Sequence, residues 1–105
     1  MVFAKQVREF VKELAKNTVN AEDGRQLIRA SGSVGANYIE ANEALSKKDF
    51  VMRIKICRKE AKECRYWLRL ISTQSDTQQE NTRRKLEKEA GELMNIFGAI
   101  LRKSE

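Results

Sequence analysis

The chain has 105 residues, 21 Lys or Arg against 15 Asp or Glu, a formal charge of +6, and neither histidine nor proline. That length suits one domain with a real core, and 41% apolar with 34% charged residues excludes a disordered tail and favours helices throughout. Without histidine there is no His-based acid–base catalysis, no His-activated nucleophile and no His-containing zinc site. No apolar run approaches the roughly 18 to 20 residues of a membrane span, and MVFAKQVREF lacks a signal-peptide core with a cleavage site. The expectation is a soluble, cytoplasmic protein without a membrane partner.

In chain order, Phe3, Val7, Phe10, Val11, Leu14 and Thr18 recur at helical spacing and predict a first helix over about 2–18. Its charges alternate in sign and read as a solvated face. Asn20 followed by Asp23 reads as a helix cap, which predicts a second helix over about 21–44. Six small residues crowd its middle, Ala30, Ser31, Gly32, Ser33, Gly35 and Ala36. Interior glycines cost a helix about 1 kcal/mol each relative to Ala, so this window points to close approach of another helix backbone. A phosphate-cradling loop is not indicated, since GxxxxGK[ST] is absent and no strand precedes the window.

The stretch from Ser46 to Thr73 predicts a third helix, over about 47–73, around which the rest is organised. Ser46 with Asp49 forms a capping box, and Leu45 with Phe50 occupies the positions of a hydrophobic staple. Phe50, Ile54, Cys57, Ala61, Cys64, Leu68 and Ile71 make one core stripe. The two cysteines are about 10.5 Å apart along the helix, too far to pair, and they read as small core residues. Lys55, Arg58, Lys62, Arg65 and Arg69 step along one flank, about 60° to 140° round from Phe50. This helix has nine Lys or Arg against three acids, while the rest of the chain has twelve of each sign. The net charge of the protein is therefore the charge of this helix. On a third side Met52, Ile56, Trp67 and Leu70 predict a subunit interface.

After a polar turn, a fourth helix is predicted over about 76–102, with Ser75 or Thr77 as its cap and Leu86, Ala90, Leu93, Phe97 and Ile100 as its core stripe. Arg83, Arg84, Lys85 and Lys88 cluster on it among Glu80, Glu87, Glu89 and Glu92, and read as a solvated face. Four long helices with short polar turns define an all-α, antiparallel up-down-up-down four-helix bundle in one domain, 1–105. Arg29, Asn37, Glu40, Glu60 and Glu63 are expected to form a structural polar network between helices, with Asn37 and Glu40 as a buried pair.

Two strings, QLIRASGSVGANYIEA (26–41) and SKKDFVMRIKICRKEAKECRYWL (46–68), resemble the bacterial four-helix-bundle proteins first noticed as reading frames inside intervening sequences of 23S rRNA genes. The resemblance rests on Arg-Ala-Ser-x-Ser-Val-x-x-Asn-x-x-Glu-Ala, Ser-x-x-Asp-Phe, Lys-Glu-Ala-x-Glu and Trp-Leu. It implies a ring, commonly a homopentamer. Related accessory proteins of diversity-generating retroelements bind nucleic acid and a reverse transcriptase. Cys57 and Cys64 stand where Ala, Ser or Thr is more usual in the family, and no catalytic residue is carried over.

Three functions follow from this reading. The first is a non-enzymatic, oligomeric nucleic-acid-binding protein that contacts phosphates through Lys55, Arg58, Lys62, Arg65 and Arg69 without reading bases, with Tyr66 lending a stacking face. The second is an accessory scaffold whose partner is a protein such as a reverse transcriptase. The third, divalent-metal phosphoryl chemistry on Glu40, Glu60 and Glu63, ranks last because it needs those carboxylates clustered and open to water. No cofactor and no metal site are expected.

Overall fold

Leu27, Val34, Ile54, Leu68 and Leu86 are sealed from solvent, and they come from three different predicted helices. In the computed structural model, which describes residues 2–104, the helices are α1 (Val2–Lys12), α2 (Thr18–Asn42), α3 (Lys47–Leu70) and α4 (Thr77–Lys103). They pack as an all-α four-helix bundle of 46 × 19 × 19 Å. Each helix touches its neighbours in chain order, and α1 closes the circuit against α4. The core stripes come out as the periodicity implies. Phe3, Val7 and Phe10 of α1 are buried, as are Ile54, Cys57, Ala61, Cys64 and Leu68 of α3 and Leu86, Ala90 and Phe97 of α4.

The helix ends depart from expectation. The first helix stops at Lys12 rather than Thr18, yet Leu14 still enters the core from the connecting turn. Asn17, not Asn20, caps α2, its side chain accepting from the Asn20 N–H at 2.8 Å. Asn20 is buried instead, and its Nδ2 donates to the carbonyls of Ala15 and Ser72 at 3.1 and 3.2 Å. One amide thus ties the α1–α2 connection to the α3–α4 connection, a use that competes with capping.

At the start of α3 the Ser46 hydroxyl accepts from Asp49 N–H at 3.1 Å, as a cap should. The staple is absent, because Leu45 is 101% exposed and so buries nothing against Phe50. The third helix ends at Leu70, and Ile71 turns extended while its side chain stays in the core. Gln74 and Ser75 both adopt positive φ, 52° and 69°, within a turn closed by Asp76 N–H on the Thr73 carbonyl. Asp76, rather than Ser75 or Thr77, then caps α4 by accepting from Gln79 N–H at 2.9 Å.

The small-residue window of α2 does only part of what its composition suggests. Ala30 and Ser31 are fully buried. The close helix approach falls one turn or more earlier, at Gly24, where an added Cβ would lie 2.7 Å from Val11 Cγ1 of α1. At Gly32 an added Cβ would meet only the mobile tip of Arg8, at 3.5 Å.

Candidate nucleic-acid interface

Of the five cations expected on the basic flank of α3, Arg58, Arg65 and Arg69 line its seam with α4, whereas Lys55 borders a separate depression at the start of α3 with Val51 and Met52 and Lys62 is exposed. α4 adds cations of its own. A shallow depression in the seam is lined by Arg65, Arg69, Arg84, Glu87, Lys88 and Gly91. Further along, Arg58 and Arg102 both reach Gly98, where an added Cβ would sit 4.0 Å from Arg58 Nε and 3.5 Å from Arg102 Nη1.

Ion pairing divides these cations into two groups. Arg69 Nε donates to Glu87 at 2.8 Å, Arg84 to Glu80 at 2.9 Å, and Arg83 to both Glu80 and Glu87 at 2.8 and 2.9 Å. The Arg83 and Arg69 guanidiniums accordingly hold Glu80 and Glu87, respectively, below the usual carboxylate range, Glu80 at about 2. Among the described residues, Lys55, Arg58, Lys62, Arg65, Lys88 and Arg102 have no carboxylate partner. Of the α4 cluster that reads as a solvated face, Arg83 and Arg84 are committed to acids, Lys85 turns towards α1, and Lys88 joins the seam. Arg102 carries no sequence signal of its own, because its place over Gly98 depends on how α3 and α4 are registered.

The expected polar network splits into two parts on the opposite flank of α3. Arg29 of α2 bridges Glu60 at 2.9 Å and Glu63 at 2.8 Å. Its hydrogen bond to nearly buried Glu60 raises the Arg29 pKa further. Asn37 belongs to a separate set: it accepts from Arg53 Nη1 at 3.0 Å and donates to Ser33. Glu40 lies on the outer side of α2, exposed and without a hydrogen bond among the described residues, so no Asn37–Glu40 buried pair forms. Glu60 and Glu63 face one guanidinium rather than each other and an open cleft. Among the described residues no cluster of three or more acids or cysteines is placed to hold a metal.

The residues expected at a subunit interface differ in exposure, and Trp67 packs in part against the core. Ile56 and Trp67 are half-buried, while Met52 and Leu70 are exposed. Tyr66 sits edge-on against Trp67 with ring centroids 5.1 Å apart. The buried Trp67 Nε1 has no acceptor among the described residues. Both cysteines are free and buried; burial pushes Cys57 up to about 11 and Cys64 up to about 12, so neither is a thiolate near neutrality.

These features define a basic four-helix bundle in which Arg58, Arg65, Lys88 and Arg102 meet along one interhelical seam without carboxylate partners among the described residues. Residues 1–99 match the profile of the 23S rRNA-intervening sequence proteins, and the chain belongs to that family. It is also similar to a crystal structure of a protein of unknown function from the S23 ribosomal protein family of Bacteroides thetaiotaomicron VPI-5482. The two share 29% identity over 94% of this chain and 91% of the other, with a TM-score of 0.77. No functionally curated protein matches the chain. No helix among the described residues is long and apolar enough to cross a membrane.

Proposed function

We propose that this protein is a non-enzymatic, oligomeric, cytoplasmic nucleic-acid-binding protein that grips phosphates along the α3–α4 seam. The observation that carries this reading is that Arg58 and Arg65 of α3 have no carboxylate partner among the described residues, in a chain where Arg25, Arg29, Arg53, Arg69, Arg83 and Arg84 are all paired. Cations left unpaired on one face attract a polyanion, and the surplus of +6 has the matching sign. Nothing on this face forms a recognition helix or an aromatic sheet platform, so contact is to the backbone rather than to bases.

Fluorescence anisotropy with a labelled RNA duplex at about 50 and 200 mM salt tests the reading, since phosphate-driven binding weakens strongly over that range. With about five phosphates neutralised, log affinity should fall with log salt at a slope near −4 to −5. Reversing charge at Arg58 and Lys62 should remove most of the binding. A protein that ignores RNA at both salts would sink the proposal.

A second reading is supported by the exposed Met52 and Leu70 and the unsatisfied Trp67 Nε1. On it the chain is an accessory scaffold that assembles as a ring, pentameric by family resemblance, and docks a protein such as a reverse transcriptase. Light-scattering mass separates the cases. A mass near five times 12.1 kDa supports the ring, and a monomer removes it.

A further inference from the structure

Arg58 and Arg65 are seven residues apart on α3, and Gly98 and Gly91 are seven apart on the antiparallel α4. Seven residues are close to two helical turns, so each pair repeats on one face with a rise of about 10.5 Å. Arg58 stands over Gly98 together with Arg102, and Arg65 shares the depression at Gly91 with Lys88. The seam therefore pairs an arginine of α3 with a cation of α4 near each glycine, tightly over Gly98 and loosely at Gly91, where Arg69, Arg84 and the already paired Glu87 share the depression.

Neither glycine is explained by the fold. No glycine among the described residues has positive φ, and a Cβ added at Gly91 meets nothing within 4 Å. At Gly98 a Cβ would make ordinary contacts only, with the two guanidiniums. Those guanidiniums share one spot without a carboxylate among the described residues, although like charges repel. An anion between them would reverse the sign of that interaction; Gly98 itself is buried beneath the two guanidiniums, so the anion would seat on their outer edges, while at Gly91 the missing side chain leaves open space above α4. A second copy of the chain is a poor occupant, because it carries the same surplus of +6.

We infer that Arg58, Gly98 and Arg102 form one phosphate seat and Arg65, Gly91 and Lys88 a second, about 10.5 Å further along, so that α4 supplies half of the grip on a nucleic-acid backbone. This rests on the phosphate-binding reading above and deepens it by naming the α4 residues that share the grip with Arg58 and Arg65.

The test uses anisotropy with the same labelled RNA duplex on the full chain. The double variant Lys88→Gln/Arg102→Gln should weaken binding about tenfold at 100 mM salt and make the salt slope shallower by about 1 to 2. Lys5→Gln/Lys85→Gln removes equal charge where α1 faces α4, outside the seam, and should weaken binding less than about twofold. Gly91→Leu should weaken binding with an unchanged or higher thermal midpoint, which shows that the seat and not the fold was filled. Equal effects of the two double variants, or wild-type binding by Gly91→Leu, would overturn the inference. If Arg58→Glu/Lys62→Glu abolishes binding while the α4 variants bind normally, the two seats fall and the α3 ridge stands. If the wild-type protein binds no RNA, both readings fall together.

Discussion

Arg83 of α4 donates from Nη1 to the carbonyl of Leu68, 3.1 Å away in the last turn of α3. The last carbonyls of a helix have no intrahelical partner, so this bond satisfies one of them from outside. The same guanidinium binds Glu80 and Glu87 and is only 14% exposed. It is a clasp between the end of one helix and the start of the next.

Replacing Arg83 by Met keeps the packing of the stem and removes all three polar contacts. We expect a loss of about 2 kcal/mol, held down by the partial exposure of the two glutamates, and a urea midpoint lower by roughly 1 M. An unchanged midpoint would show that the clasp contributes nothing net.

Glu80 provides a pH signature for the same clasp. Bonding by Arg83, with Thr73 and Arg84, holds its carboxyl at about 2 against an ordinary 4.5. A carboxylate depressed on folding stabilises the fold above its unfolded pKa, and that contribution is lost as pH falls from 4.5 towards 2. The stability gap between wild type and Glu80→Gln should be full at pH 6 and close as pH falls through that window. A gap independent of pH would argue against the assignment.

Gln74 and Ser75 occupy left-handed backbone, where Asn and Gly are far better suited. Gln74→Asn with Ser75→Gly should stabilise the protein by about 1 kcal/mol and raise the thermal midpoint by about 4 °C. A lower midpoint would mean that the native turn is held by contacts these residues alone can make.

Gly24 and Gly91 should respond oppositely to alanine. Gly24→Ala places a methyl 2.7 Å from Val11 Cγ1, so the α1–α2 contact must open and stability should drop. Gly91→Ala meets no neighbour and should gain about 1 kcal/mol from helix propensity. Thermal melts of the two variants that shift in the same direction would contradict this.

Cys57 and Cys64 should resist alkylation at pH 8 in the native protein and react fully in denaturant. Both are sealed in the core, with the thiols pushed up to about 11 and 12. Rapid native labelling of either would show that the α2–α3–α4 core opens readily.

The helices and their core stripes were legible because a 3.6-residue period repeats over long segments and little else produces it. Their ends were less so. Asn17 and Asn20, or Ser75, Asp76 and Thr77, are all competent caps within one turn of each other, and the choice between them is made by tertiary bonds such as those of Asn20 to Ala15 and Ser72. The Leu45–Phe50 staple failed for a similar reason, since a local pattern cannot say whether the preceding turn faces the core. The α3 half of the basic seam could be read from spacing alone. The α4 half could not, because placing Arg102 and Gly98 beside Arg58 needs the register between two helices. A matching seven-residue step, Arg58 to Arg65 and Gly91 to Gly98, was the available signal.

α1 has eleven residues, while the other three helices have 24 to 27. A helix that short does not persist alone in water, so Phe3, Val7 and Phe10 stay helical only while they are seated. Towards the C-terminal end of α2, Tyr38 rests on Phe97, and Ile39 and Ile96 face solvent among the described residues. Undocking α1 is then the least costly large fluctuation of the molecule. In native-state hydrogen exchange its amides should trade for deuterium well before those of Ile54 to Leu68, which makes the first eleven helical residues a detachable cover on a three-helix frame.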